Sequence, residues 1–169
     1  MHRIKISFRA AAALGVAMAS TAAIAQQPLK DQIIGTWLLV LAENVNANGS
    51  TTNIFGPNGK GILVFQPNGR FAYVLVNPDV PKFASDNRAV GTPAEFAAAY
   101  KGSLASFGTY SVGESDRTFV FHMEYNTFPN FSGSDQKRIV KSITSRELEF
   151  VSETPPIGGV SRFRLRRDE

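Results

Sequence analysis

The feature that most constrains this chain is its punctuation. From residue 37 to residue 166, short runs rich in β-branched and aromatic residues alternate with clusters of Gly, Pro, Asn, Asp and Ser. Such runs read as strands, because branched and aromatic side chains suit a pleated, half-buried surface. They fall at residues 37–45, 61–65, 70–76, 107–112, 118–125, 137–143, 147–151 and 161–166. The sharpest turn signal is Gln66-Pro67-Asn68-Gly69, since an Asn-Gly pair accepts the positive φ of a tight hairpin.

One helix interrupts the strands. Thr92-Pro93-Ala94-Glu95 is a capping box with Pro at the first helical position, and Phe96, Ala97, Tyr100 and Leu104 follow at helical spacing. The pattern predicts a helix from residue 93 to about residue 104. Residues 77–91, with Pro78 and Pro81, read as an irregular loop, a lid over one end of the fold. Residues 127–134 form a second loop, apolar for its class. About eight short strands, hairpin turns and a single helix predict an all-β fold, an antiparallel barrel, because closure removes unpaired edges. A barrel of this size leaves room for side chains or for one small ligand.

The N-terminus is read separately. Arg3, Lys5 and Arg9 flank and precede an Ala-rich apolar run at residues 10–20, and Ala23 and Ala25 supply the small residues of a signal-peptidase site. Cleavage is expected between Ala25 and Gln26, leaving residues 26–169 as one domain, periplasmic or secreted and without a membrane anchor. The apolar run is shorter than the ~20 residues a spanning helix needs. Three of the 18 basic residues and none of the 14 acidic ones leave with residues 1–25, so 15 basic residues face 14 acidic ones, a net charge of +1. That balance lacks the broad basic field of a nucleic-acid binder. The chain has no Cys and, after residue 25, a single His, so no metal centre and no cofactor is expected. No Gly-rich phosphate loop and no Gly-x-Ser-x-Gly elbow occurs.

Ile34-Gly35-Thr36-Trp37 resembles the opening Gly-x-Trp strand of lipocalins. Further stretches sharpen the likeness: Phe55-Gly56-Pro57, Asn68-Gly69-Arg70, Gly91-Thr92-Pro93-Ala94-Glu95-Phe96, Phe107-Gly108-Thr109-Tyr110, and Phe128-Pro129-Asn130-Phe131 leading to Asp135-Gln136 and Arg138. Together they resemble the bacterial lipocalin-like domain family over residues 29–166. The resemblance implies a small calyx-like barrel of about eight strands and carries over no established catalytic residue. Related barrels include carriers of small hydrophobic molecules and, more distantly, cyclases and isomerases. It also implies that Trp37 stacks on an Arg from a late strand, Arg162 or Arg164. Phe131 stands where the family usually has Trp.

Candidate binding residues are Trp37, Tyr73, Tyr110, His122, Glu124, Phe131 and Arg138. On its strand His122 shares a face with Val120 and Glu124, while Phe119, Phe121, Met123 and Tyr125 share the other, and alternation alone leaves either face inside. Facing inward, His122 is a candidate acid/base with Glu124, Tyr73 or Tyr110 nearby; facing outward, it is a structural side chain. Arg138 either pairs with Glu124 across strands or meets a ligand carboxylate. Three readings stand: an exported binding protein for a small hydrophobic or aromatic molecule, monomeric or weakly oligomeric; a cofactor-independent isomerase, cyclase or lyase using His122; and a solid-core interaction module.

Overall fold

A computed structural model describes residues 27–168. The expected signal segment at residues 1–25 lies outside the described residues. The chain forms a short helix α1 (Leu29–Ile33), then β1 (Gly35–Val45), β2 (Thr51–Asn53), β3 (Lys60–Phe65), β4 (Arg70–Val76), helix α2 (Pro93–Lys101), β5 (Ser103–Gly113), β6 (Thr118–Asn126), β7 (Asp135–Ile143), β8 (Glu147–Ser152) and β9 (Val160–Arg167). Each strand from β3 to β9 pairs antiparallel with the next, β3 pairs with β1, and β9 returns to β1 from Trp37↔Arg167 to Val45↔Val160. The result is a closed eight-stranded antiparallel barrel; β2 pairs only with residues 43–45 of β1 and stands outside the ring. Among the described residues no helix is long and apolar enough to cross a membrane.

Each predicted strand forms, with ends shifted by a few residues. The largest shift is at β5, which starts at Ser103, so Leu104 belongs to the strand and not to the helix. Helix α2 ends at Lys101, and its last regular bond runs from the Gly102 N–H to the Ala98 carbonyl at 2.8 Å. Its start follows the capping box: Glu95 N–H donates to Thr92 Oγ1 at 3.2 Å, and Thr92 N–H donates to Glu95 Oε2 at 2.6 Å. Helix α1 and strand β2 were not expected; five and three residues carry too little periodicity to be read.

Bulges tune the wall. Glu124 is an extra residue in β6 opposite the Phe107/Gly108 step of β5. Gly108 is required there, because a Cβ would collide with the His122 carbonyl oxygen. The bulge changes the parity of β6: Phe119, Phe121 and Met123 point inward, whereas Tyr125 lies outside beside Phe107, ring centroids 5.5 Å apart.

One end of the barrel is closed. Leu29 and Ile33 of α1 are buried, and the first N–H groups of the helix, on Leu29 and Lys30, donate to the Glu114 carboxylate in the β5–β6 turn at 2.7 and 2.8 Å. Trp37 Nε1 donates to the Ile33 carbonyl at 2.8 Å. Phe65, Phe119, Leu148 and Leu165, all fully buried, belong with Trp37 to one core cluster. The β3–β4, β5–β6 and β7–β8 turns mark this end; α2 and the longer connections lie at the other.

Candidate functional site

The open end leads into a cavity of about 360 Å3. Its mouth is framed by Phe55 after β2, Tyr100 and Lys101 at the end of α2, Phe128 and Phe131 of the β6–β7 loop, and Ile157 of the β8–β9 loop. Deeper, Tyr73, Phe121, Arg138, Phe150 and Phe163 form the wall. Strand alternation puts them there: Phe71, Tyr73 and Leu75 of β4 are buried while Arg70, Ala72 and Val74 between them are exposed. The aromatic rings brace one another, with Phe71 4.3 Å from Phe121, Phe119 5.2 Å from Phe150, and Phe150 5.0 Å from Phe163, centroid to centroid.

The polar groups are few. Arg138, on the inward face of β7, is buried, and its Nη1 donates to the Lys137 carbonyl at 2.8 Å. Its Cζ lies 5.7 Å from the centre of the Phe121 ring. Burial pulls the guanidinium down to about 10, opposed by the nearby Tyr73, so it remains charged at neutral pH. Burial also holds the Tyr73 hydroxyl above its ordinary range, and that hydroxyl accepts from Asn126 Nδ2 at 3.0 Å. Among the described residues no Asp or Glu lines the cavity, and the two charged residues that do are Arg138 and Lys101. Among the described residues no three His, Asp or Glu side chains converge to hold a metal.

The candidate residues separate into three groups. Tyr73, Phe131 and Arg138 line the cavity. Trp37 and Tyr110 do not reach it: Trp37 is sealed in the closed end, and Tyr110 donates from its hydroxyl to the Gln66 carbonyl at 2.9 Å, tying down the β3–β4 hairpin. His122 and Glu124 stand on the outer wall: of the two faces that alternation left open, theirs is the outward one. The bulky Phe119, Phe121 and Met123 take the inside of β6 and leave the polar face to solvent.

Two pairings are corrected as well. Glu124 pairs with Arg70 at 2.9 Å, not with Arg138, because Arg138 points to the opposite side of the wall. The Arg over Trp37 is Arg167, its Cζ 4.1 Å from the ring centre, and neither Arg162 nor Arg164. Ser161, Phe163 and Leu165 take the inward positions of β9, which turns Arg162 and Arg164 outward; Arg162 meets Glu43 at 3.2 Å. None of the residues of the 77–91 loop lines the cavity; α2 supplies that edge of the mouth. Phe121, Phe128, Phe150 and Phe163 also line the cavity, and inward alternation is the sequence signal that marks Phe121, Phe150 and Phe163.

On the outer wall Ser111 Oγ lies 2.9 Å from His122 Nε2, and His122 Nδ1 lies 2.7 Å from Asp135 Oδ1. The connectivity is that of a Ser-His-Asp relay, but the setting is not. Thr109, His122 and Asp135 sit side by side in the β5–β6–β7 ladder, whose backbone N–H groups are paired between strands. No free pair of donors is available for an oxyanion, and none of the three side chains borders the cavity. The arrangement is a cross-strand polar ladder.

The model of the lipocalin-like domain family matches residues 34–157. Two solved structures also align. A lipocalin-like protein from Bacteroides uniformis is 14% identical, with 81% of this chain and 99% of that chain covered and a TM-score of 0.46. A redesigned β-barrel is 16% identical, with 84% and 96% covered and a TM-score of 0.44. No curated protein matches the chain.

Proposed function

This chain belongs to the lipocalin-like domain family, and from that premise we propose that it is an exported binding protein that holds one small hydrophobic or aromatic molecule inside its barrel. The observation that carries the proposal is the contrast between the two ends. One end is packed solid around Trp37, while the other opens into a cavity of about 360 Å3 walled by Phe and aliphatic side chains. That volume and lining suit a small organic ligand. A molecule entering there exchanges water contact for contact with Phe121, Phe150 and Phe163, and each Å2 of apolar surface removed from water contributes about 25 cal/mol.

The open cavity speaks against a solid-core interaction module. Catalysis through His122 lacks support, since its ring sits on the outer wall away from any bound molecule. Native mass spectrometry of the protein purified from its own host tests the reading. The expected spectrum shows a retained small molecule that is released on unfolding. An apo mass that does not shift against a panel of fatty acids, terpenoids and aromatic compounds overturns the reading. Export is tested alongside by sequencing the N-terminus of the purified protein, which is expected to begin at Gln26.

A further inference from the structure

We infer that the ligand is an acid: a small apolar or aromatic molecule whose carboxylate docks on Arg138, with the Tyr73 hydroxyl as a second donor. The inference rests on the reading of the barrel as a binding protein and adds the chemical class of its ligand.

Arg138 is buried, and among the described residues no acidic side chain faces it. Among the described residues the cavity lining holds no carboxylate, and the inward residue nearest to Arg138 toward the mouth on β7 is the neutral Gln136, which donates from Nε2 to Ser134 Oγ at 3.1 Å. Glu124 is held outside by Arg70. Within the protein, Arg138 spends one nitrogen, Nη1, on the Lys137 carbonyl. Among the described residues no buried side-chain nitrogen or oxygen lacks a partner, so the guanidinium nitrogens that bond nothing open onto the cavity. A guanidinium removed from water without a counter-ion is costly, and an anion brought to it recovers that cost.

The geometry favours a carboxylate over a larger anion. One planar guanidinium offers a two-pronged fork that matches a planar monoanion. Tyr73 accepts a hydrogen bond from Asn126, with the Ser106 hydroxyl also beside it, and its O–H turns to an anion seated on Arg138. The second cation, Lys101, lies at the mouth, where it attracts an anion on approach. The apolar remainder of the ligand lies between the wall and Phe128, Phe131 and Ile157 at the mouth.

Calorimetric titration of the mature protein with two matched pairs tests this: decanoate against decanol, and cinnamate against cinnamyl alcohol. The expected result at neutral pH is that at least one acid binds about tenfold or more tighter than its alcohol, as a hydrogen-bonded charge pair contributes. Arg138→Met brings the acid down to the affinity of its alcohol, and Tyr73→Phe weakens the acid by about fivefold. Should the alcohols bind the native protein as well as the acids, the inference is overturned while the hydrophobic reading stands. Should none of the four bind, the hydrophobic reading falls and the inference falls with it. The comparison on the native protein decides the matter even where a variant does not fold.

Discussion

Arg167 lies over Trp37, its guanidinium carbon 4.1 Å from the centre of the indole, and the same side chain stitches the closed end of the barrel together. It donates to the carbonyls of Ser145, Ile34 and Gln32 at 2.8, 2.7 and 2.7 Å. Three charge-assisted hydrogen bonds and a cation–π contact meet in one residue that touches no ligand. Arg167→Met is expected to lower stability by roughly 2–4 kcal/mol. Denaturant melts read that loss, and ligand affinity stays unchanged because the cavity lies at the other end.

Arg138 predicts the opposite sign. Burial lowers its pKa well below the ordinary arginine value, to about 10, so the fold disfavours the charged form. The penalty is fully present below about pH 10 and is relieved as the pH rises toward the unfolded value. Arg138→Met is therefore expected to raise the stability of the ligand-free protein at neutral pH by roughly 1–3 kcal/mol, several degrees in Tm. The gap to the native protein narrows above about pH 10. A lower Tm for the variant would mean that the charge is compensated inside the protein.

The same pKa sets the pH profile of ligand binding. The charged guanidinium is the form that attracts an acid, so the preference of decanoate over decanol is expected to hold level across neutral pH. It is lost as the pH rises through about 10 and the ligand-free protein gives up its cation. It also falls below about pH 5, where the ligand itself takes up a proton. Decanol binding shows neither limb.

His122 is expected to matter little. Its ring bridges Ser111 and Asp135 on the outer wall, half exposed to solvent. His122→Ala is expected to cost about 0–1 kcal/mol of stability and to leave ligand affinity within about twofold. A loss of turnover on any acid or ester in that variant would return catalysis to consideration.

Most of the fold was legible because its signals are local. The Asn68-Gly69 hairpin forms with Gly69 at φ 82°, and the Thr92/Glu95 capping box starts α2 as its residue types require. The alternation of Phe71, Tyr73 and Leu75 marks one wall of the cavity before any tertiary information enters. What the sequence could not show depends on closure. Val120, His122 and Glu124 compete with Phe119, Phe121 and Met123 for the inside of β6, and only packing across the barrel decides between them. The bulge at Glu124 then moves Tyr125 to the outer face, a shift that a strict period of two does not register. Arg167 was overlooked beside Arg162 and Arg164, although it shares the inward parity of Phe163 and Leu165. Whether Phe side chains fill a barrel or line a cavity depends on volumes summed over all eight strands of the ring, and no single stretch carries that sum.

The most direct test is a crystal structure of the protein grown with decanoate. The account predicts an acyl chain inside the barrel among Phe121, Phe150 and Phe163, with its carboxylate at hydrogen-bonding distance, about 3 Å, from Arg138. An empty or collapsed interior, or a chain bound only on the outer wall, would contradict it.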